Sequence, residues 1–195
     1  GEYRPYFGGK KLLSGSILCG GRAYAALADL VSETVSAFMA KPPRREIYAL
    51  LNRLAENLPS DPLTISTRFC GTRSDPSLRG SISGLSLSSF DLAHLADGIL
   101  RGIIEELHTM SLGMTEPDRQ YGVVVSGNAM RRCAPLRRLC AEAFGSDPMT
   151  PAHIEESAFG AALHSAISAG EITREESLRL IKYTEDKHTE RNESI

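Results

Sequence analysis

The chain has 195 residues, 42% of them hydrophobic and 24% charged, with a formal net charge of -2. Those values exclude a disordered chain and a nucleic-acid binder that works by bulk positive charge. No apolar run approaches the roughly 20 residues that cross a bilayer, so no membrane partner is expected.

The length suits one well-buried domain or one lobe of something larger. The start, Gly1-Glu2-Tyr3-Arg4-Pro5, has no initiator Met and reads as the inside of a longer protein. The cysteines Cys19, Cys70, Cys133 and Cys140 form no CxxC pair and have no histidine at metal spacing, so no metal site is expected. On a continuous helix Cys133 and Cys140 would stand about 10 Å apart along the axis, too far for a disulfide. Four free thiols suit a reducing, cytoplasmic compartment.

In chain order, Tyr3 to Phe7 and Lys11 to Cys19 read as a β-hairpin turning at Gly8-Gly9. Gly20-Gly21 closes the second strand, and Arg22 to Met39 is predicted helical, with Leu27, Leu30, Val31, Val35 and Phe38 on one face. Lys41-Pro42-Pro43 breaks it. A second helix runs from Arg44 to Asn57 and buries Ile47, Leu50, Leu51 and Leu54. Leu63 to Phe69 alternates like a strand, Cys70 to Arg79 is a turn-rich loop, and Ser81 to Leu87 suggests another strand. Ser88 and Ser89 are N-cap candidates for a long helix to Met110, on which Gly98 and Gly102 permit close packing.

Glu116 to Gln120 is read as a loop before the apolar strand Val123 to Val125. A helix from Arg132 to Phe144, a short strand over Asp147 to Thr150 and a helix from Glu155 to Ala169 follow. Thr173 and Glu176 stand at capping-box spacing for a last helix reaching Tyr183. The expected division is one domain over 1–182 and a polar, disordered tail over 183–195. Alternating elements with mixed strand directions make this an α/β chain.

Val123-Val124-Val125-Ser126-Gly127-Asn128-Ala129 is the segment most suggestive of chemistry. A strand-to-helix corner with a glycine lets backbone N–H groups approach a phosphate or nucleoside; it also fits an ordinary turn. Gly15 with Gly20-Gly21-Arg22 offers a second backbone approach, or a plain strand end and helix start. Gly160-Ala161-Ala162 predicts tight helix packing. Arg73, in Gly71-Thr72-Arg73-Ser74-Asp75-Pro76, suits an anion or a surface turn. Arg131, Arg132, Arg137 and Arg138 could attract anions but read first as a solvated helix face, as do Glu105 and Glu106. His94, His108, His153 and His164 show no catalytic or metal spacing.

Five segments in order resemble the C-terminal domain of the FGGY carbohydrate kinases, most closely the sedoheptulokinases, from about Arg4 to Gly170. They are Leu13-Ser14-Gly15-Ser16-Ile17-Leu18-Cys19-Gly20-Gly21-Arg22-Ala23-Tyr24, then Phe69 to Pro76 with Arg79-Gly80-Ser81-Ile82-Ser83-Gly84-Leu85. Arg101-Gly102-Ile103 with Glu106-Leu107-His108, then Ser126-Gly127-Asn128-Ala129, then Gly160-Ala161-Ala162 complete the set. The resemblance implies a lobe of the actin/Hsp70/hexokinase-like (ribonuclease H-like) ATPase fold, a mixed sheet flanked by helices. It implies ATP with Mg²⁺, with Gly20, Gly21, Ser126, Gly127 and Asn128 as nucleotide contacts. The asparagine that touches the nucleoside in many family members falls on Cys133, which has no amide.

The implied complete reaction is ATP plus sedoheptulose giving ADP plus sedoheptulose 7-phosphate. Ribulose, xylulose or glycerol are alternative substrates, and a non-catalytic nucleotide- or partner-binding module is the alternative outside the enzymes. The family's general-base aspartate and N-terminal phosphate loop precede the region matched. Neither Asp75 nor Asp91 replaces that base, so no catalytic residue is assigned, and this segment alone is expected not to catalyse. Its implied partners are ATP, a sedoheptulose-like sugar and an N-terminal lobe.

Overall fold

The computed structural model describes residues 1–57, 59–114 and 122–185. The loop read over Glu116 to Gln120 lies outside the described residues, as do residues 186–195 of the expected tail. The contacts divide the chain into two compact units, Gly1–Arg119 with Ala134–Leu139, and Gln120–Cys133 with Cys140–Ile195.

In the first unit β1 (Glu2–Pro5) pairs antiparallel with β2 (Lys11–Ser14), Tyr3 facing Leu13 and Arg4 facing Leu12. Gly8 and Gly9 make the turn at φ 61° and 70°, the left-handed region that favours glycine. The hairpin is as expected but its second strand stops at Ser14, five residues before Cys19. Helix α1 (Gly20–Ser36) then begins at the glycine pair, which therefore opens a helix rather than closing a strand. It also ends before Phe38, which is 84% exposed, and Leu30 is 56% exposed. The face that packs is Ala23, Tyr24, Leu27, Ala28 and Val31, one step round from the predicted stripe.

Helix α2 (Arg44–Glu56) starts after Pro43 and buries Ile47, Leu51 and Ala55. The Tyr24 hydroxyl donates to Asn52 Oδ1 at 3.0 Å, tying α1 to α2. Arg138 donates to the carbonyls of Ala55 and Glu56, satisfying acceptors that the end of α2 leaves open. Arg137 is buried. The arginine run is thus partly structural, contrary to the solvated-face reading.

Strands β3 (Thr64–Ser66) and β4 (Ser81–Ser83) are each three residues long and pair antiparallel through Ile65 and Ile82. Helix α3 (Leu92–Leu112) contacts α1, α2 and β3. Its N-cap is Asp91, whose carboxylate accepts from the His94 N–H at 2.9 Å. The predicted caps do something else: Ser89 is buried and its hydroxyl accepts from the Ser86 N–H, closing a local turn.

The His94 ring lies between two carboxylates, Nδ1 2.9 Å from Asp91 and Nε2 3.2 Å from Asp61, a pairing the sequence spacing did not suggest. The Asp91 hydrogen bond, then the one to Asp61, raises the His94 pKa above 6.5, while the His94 N–H lowers that of Asp91. The histidine contribution to stability is therefore complete below pH about 6.5 and fades as pH rises through the raised value. That of Asp91 is present above about pH 3.8 and fades as pH falls through its lowered value. An NMR titration should place the His94 midpoint above 6.5, and Asp91→Asn should bring it down. An unmoved midpoint would contradict the pairing.

In the second unit Val124 makes a parallel bridge to Met149, with Val125 N–H donating to the Met149 carbonyl at 2.9 Å. This replaces the strand expected over Val123 to Val125. Met149 lies in β5 (Met149–Pro151), which pairs antiparallel with β6 (Tyr183–Glu185). The strand directions are mixed, and β6 occupies the first three residues of the expected tail. The predicted helix from Arg132 is two: α4 (Asn128–Arg132) and α5 (Ala134–Phe144), broken at Cys133 with φ -114° and ψ 91°. Pro135 explains the break, since it lacks an N–H and opens the first turn of α5. Gly145, at φ 66°, ends that helix.

Helix α6 (Glu156–Ser168) has no buried residue, so Gly160-Ala161-Ala162 does not make the tight contact predicted for it. Helix α7 (Arg174–Leu180) carries the predicted capping box: Thr173 accepts from the Glu176 N–H and Glu176 accepts from the Thr173 N–H.

Candidate functional site

The first corner is built by β2, the loop Gly15–Cys19 and the start of α1. Cys19 is the N-cap, and no side chain caps the helix there. The first-turn N–H groups of this 17-residue helix, at the positive end of its dipole, have no side-chain acceptor at the cap. The two glycines differ in role. A Cβ on Gly20 would come within 2.9 Å of Ile17 Cδ1, the end of a side chain that can turn aside; Gly21 is exposed and opens onto empty space.

A cavity of about 480 Å³ lies in the same unit, lined by Ser14 to Leu18, Gly71 to Ser74, Glu2, Arg68, Glu106 and Met110. Neither Gly20 nor Gly21 lines it. Arg73 is 3.1 Å from Glu2, and Arg68 is 3.2 Å from Glu106. Glu2 also takes a hydrogen bond from Arg4, the main cause of its lowered pKa. Glu106 accepts from Thr67 as well and is only 15% exposed, so it is not the solvated residue the sequence suggested. The loop over 71–76 is held by Thr72 N–H donating to the Asp75 carbonyl, and Gly71, at φ 70°, lies against the Pro76 carbonyl. Burial, and then the neighbouring Cys70 thiol, pushes the Cys19 pKa up.

The second corner stands on the other unit. Val125 is buried under the bridge to Met149, while Ser126, Gly127, Asn128 and Ala129 are exposed. Gly127 has φ 89° and ψ 161°, a region closed to other residues, and nothing lies within 4 Å of a Cβ built on it. The backbone is thus bare on that side. Gly127→Ala should cost about 1–3 kcal/mol through strain alone, read by urea denaturation; an unchanged midpoint would mean the turn is not held as described.

Two residues behind this corner escaped the sequence. Arg131 Nη2 donates to the carbonyls of Pro151 (2.7 Å) and His153 (2.9 Å) and to Glu156 Oε1 (2.7 Å). Glu156 Oε1 in turn accepts from the Gly127 N–H at 3.4 Å. Pairing across 25 residues leaves no trace in local spacing. Cys133 is buried at the α4–α5 break, so it offers the corner no exposed polar group in place of an asparagine amide.

The five expected contacts therefore fall on both units, Gly20 and Gly21 on one and Ser126, Gly127 and Asn128 on the other. Among the described residues no three His, Cys, Asp or Glu side chains converge to hold a metal ion, and no helix is long and apolar enough to cross a membrane. Mg²⁺ ordinarily arrives on nucleotide phosphates rather than in an all-protein cage.

No protein-family model matches the chain. The sedoheptulokinase of Mus musculus is 27% identical over 162 residues, covering 82% of this chain and 33% of that protein. The chain thus spans about a third of its curated relative. A solved xylulose kinase from Rhodospirillum rubrum superimposes with a TM-score of 0.66 at 23% identity, covering 85% of this chain and 32% of the other. Plasmodium falciparum glycerol kinase, solved with ADP, gives 0.65 at 16%, covering 89% and 34%. The solved kinases show that the chain has the actin/hexokinase-like fold. Together with the sequence similarity to sedoheptulokinase, they make the chain similar to FGGY carbohydrate kinases over most of its length.

Proposed function

We propose that this chain is the nucleotide-binding lobe of an ATP-dependent sugar kinase whose complete reaction converts sedoheptulose to sedoheptulose 7-phosphate, a seven-carbon sugar phosphate of the pentose phosphate pathway. The observation that carries the substrate is the similarity to sedoheptulokinase over 82% of the chain. In this reading Gly20 and Gly21 present N–H groups at the uncapped start of α1, and Ser126, Gly127 and Asn128 present a bare backbone edge. Mg²⁺ bound with the nucleotide would neutralise charge on the transferring phosphoryl group. The lobe's own work is positioning: it holds donor N–H groups fixed so that no reorganisation is needed when charge moves.

The general base and most sugar contacts belong to a second lobe outside this chain, which spans a third of its relative. The free thiols Cys19, Cys70, Cys133 and Cys140 suit a reducing, cytoplasmic setting. The test is a coupled ADP-release assay on a protein carrying both lobes, run over sedoheptulose, ribulose, xylulose, gluconate and glycerol. Sedoheptulose should give the highest kcat/KM. Preference for xylulose or glycerol, the substrates named for the two solved neighbours, would reassign the sugar and leave the kinase. ATP binding with no turnover on any sugar would favour a non-catalytic module.

A further inference from the structure

The corner read as a nucleotide contact already holds a negative charge. Glu156, in the first turn of α6, has its carboxylate within 3.4 Å of the Gly127 nitrogen, the N–H that a bound phosphate would otherwise use. The Arg131 hydrogen bond keeps the Glu156 carboxyl below its usual range, so it is ionised at neutral pH. Arg131 is itself engaged by two carbonyls and this carboxylate, and both side chains are about three-quarters shielded, at 21% and 24% exposure. A phosphate brought to Gly127 would meet a fixed like charge, while the nearest guanidinium is spent on protein acceptors.

We propose that Glu156 is a positioning residue that fixes the Ser126-Gly127-Asn128 turn through Arg131 and bars phosphate from the Gly127 N–H. The corner then accepts an uncharged part of its ligand, and the phosphates are met elsewhere. This rests on the reading of the corner as part of a nucleotide site, but its first half concerns the protein alone. Glu156→Gln separates charge from shape, since the amide oxygen can still accept from Arg131 and Gly127. Glu156→Ala removes both.

The experiment follows the backbone amide resonances of Gly127 and Asn128 in the folded chain, with inorganic phosphate as the probe. In the unsubstituted chain the Gly127 resonance should stay in place at millimolar phosphate. In Glu156→Gln the turn should keep its resonances and Gly127 should respond to phosphate with an affinity about tenfold higher. In Glu156→Ala both resonances should move or broaden before any ligand is added. A Gly127 resonance that shifts with millimolar phosphate in the unsubstituted chain would overturn the proposal, and that arm requires no variant to fold. An Ala variant with both resonances unmoved would overturn the positioning role. Neither result involves a nucleotide, so they are distinct from a failure of the chain to bind ATP.

Discussion

Gly102→Ala should destabilise the first unit by about 3 kcal/mol or more, despite alanine being worth about 1 kcal/mol more than glycine inside a helix. The reason is the seat of β3 on α3. A Cβ at Gly102 would run into the carbonyl oxygen of Ile65, with the Ile65 carbonyl carbon and Thr67 Cγ2 each at 3.2 Å. Backbone cannot swing away as a side chain can, so helix and strand must separate and uncover Leu63, Ile65 and Thr67, all now buried. Gly98, one turn earlier, meets the same strand through Ile65 Cδ1 at 2.8 Å. Gly160→Ala is the control, because open space surrounds that position; it should stabilise by about 0.5–1 kcal/mol. Urea denaturation measures both. A Gly102→Ala chain as stable as its parent would mean that β3 does not lie on α3.

Arg101→Ala should cost about 3 kcal/mol, because it strands a carboxylate in the core. Asp97 is fully buried, and Arg101 Nε reaches its Oδ2 at 2.6 Å from one turn along α3. The pair itself adds little net stability, since desolvating both ions offsets their attraction. Loss of one partner is different, for the remaining charge keeps the desolvation cost and loses the attraction. Adding Asp97→Asn to Arg101→Ala should therefore recover part of the loss. The arginine is 31% exposed, so solvent relieves some of the penalty. A loss below about 1 kcal/mol for Arg101→Ala, by the same urea measurement, would show that water reaches Asp97.

The parts of the fold legible from sequence were those whose signals are local. Apolar period placed α2 and α3, the Gly8-Gly9 turn placed the first hairpin, and Thr173 with Glu176 placed the start of α7. Where tertiary partners decide, the reading slipped. Phe38 and Leu30 fit a helical stripe but are left exposed among the described residues. β6 pairs with β5 across more than thirty residues, in a stretch polar enough to pass for a tail. The break at Cys133 was announced by Pro135, whose effect on the preceding residues was overridden by the apolar pattern through Phe144.

The site follows the same division. Gly127, at a φ few residues adopt, was visible because glycine at a strand-to-helix corner has a backbone reason. The ion pair behind it was invisible, since Arg131 and Glu156 sat in runs that read as solvated charge or helix start. The cluster of His94 with Asp61 and Asp91 was missed for the same cause: one carboxylate comes from a loop far back in the chain.

The most direct test of the central claim is an ATP-Mg²⁺ titration of the folded chain followed at its backbone amides. On the proposed reading the resonances of Gly20 and Gly21, and those of Ser126, Gly127 and Asn128, should each shift as ATP is added. A well-dispersed spectrum of the folded chain in which neither corner responds to ATP would contradict it.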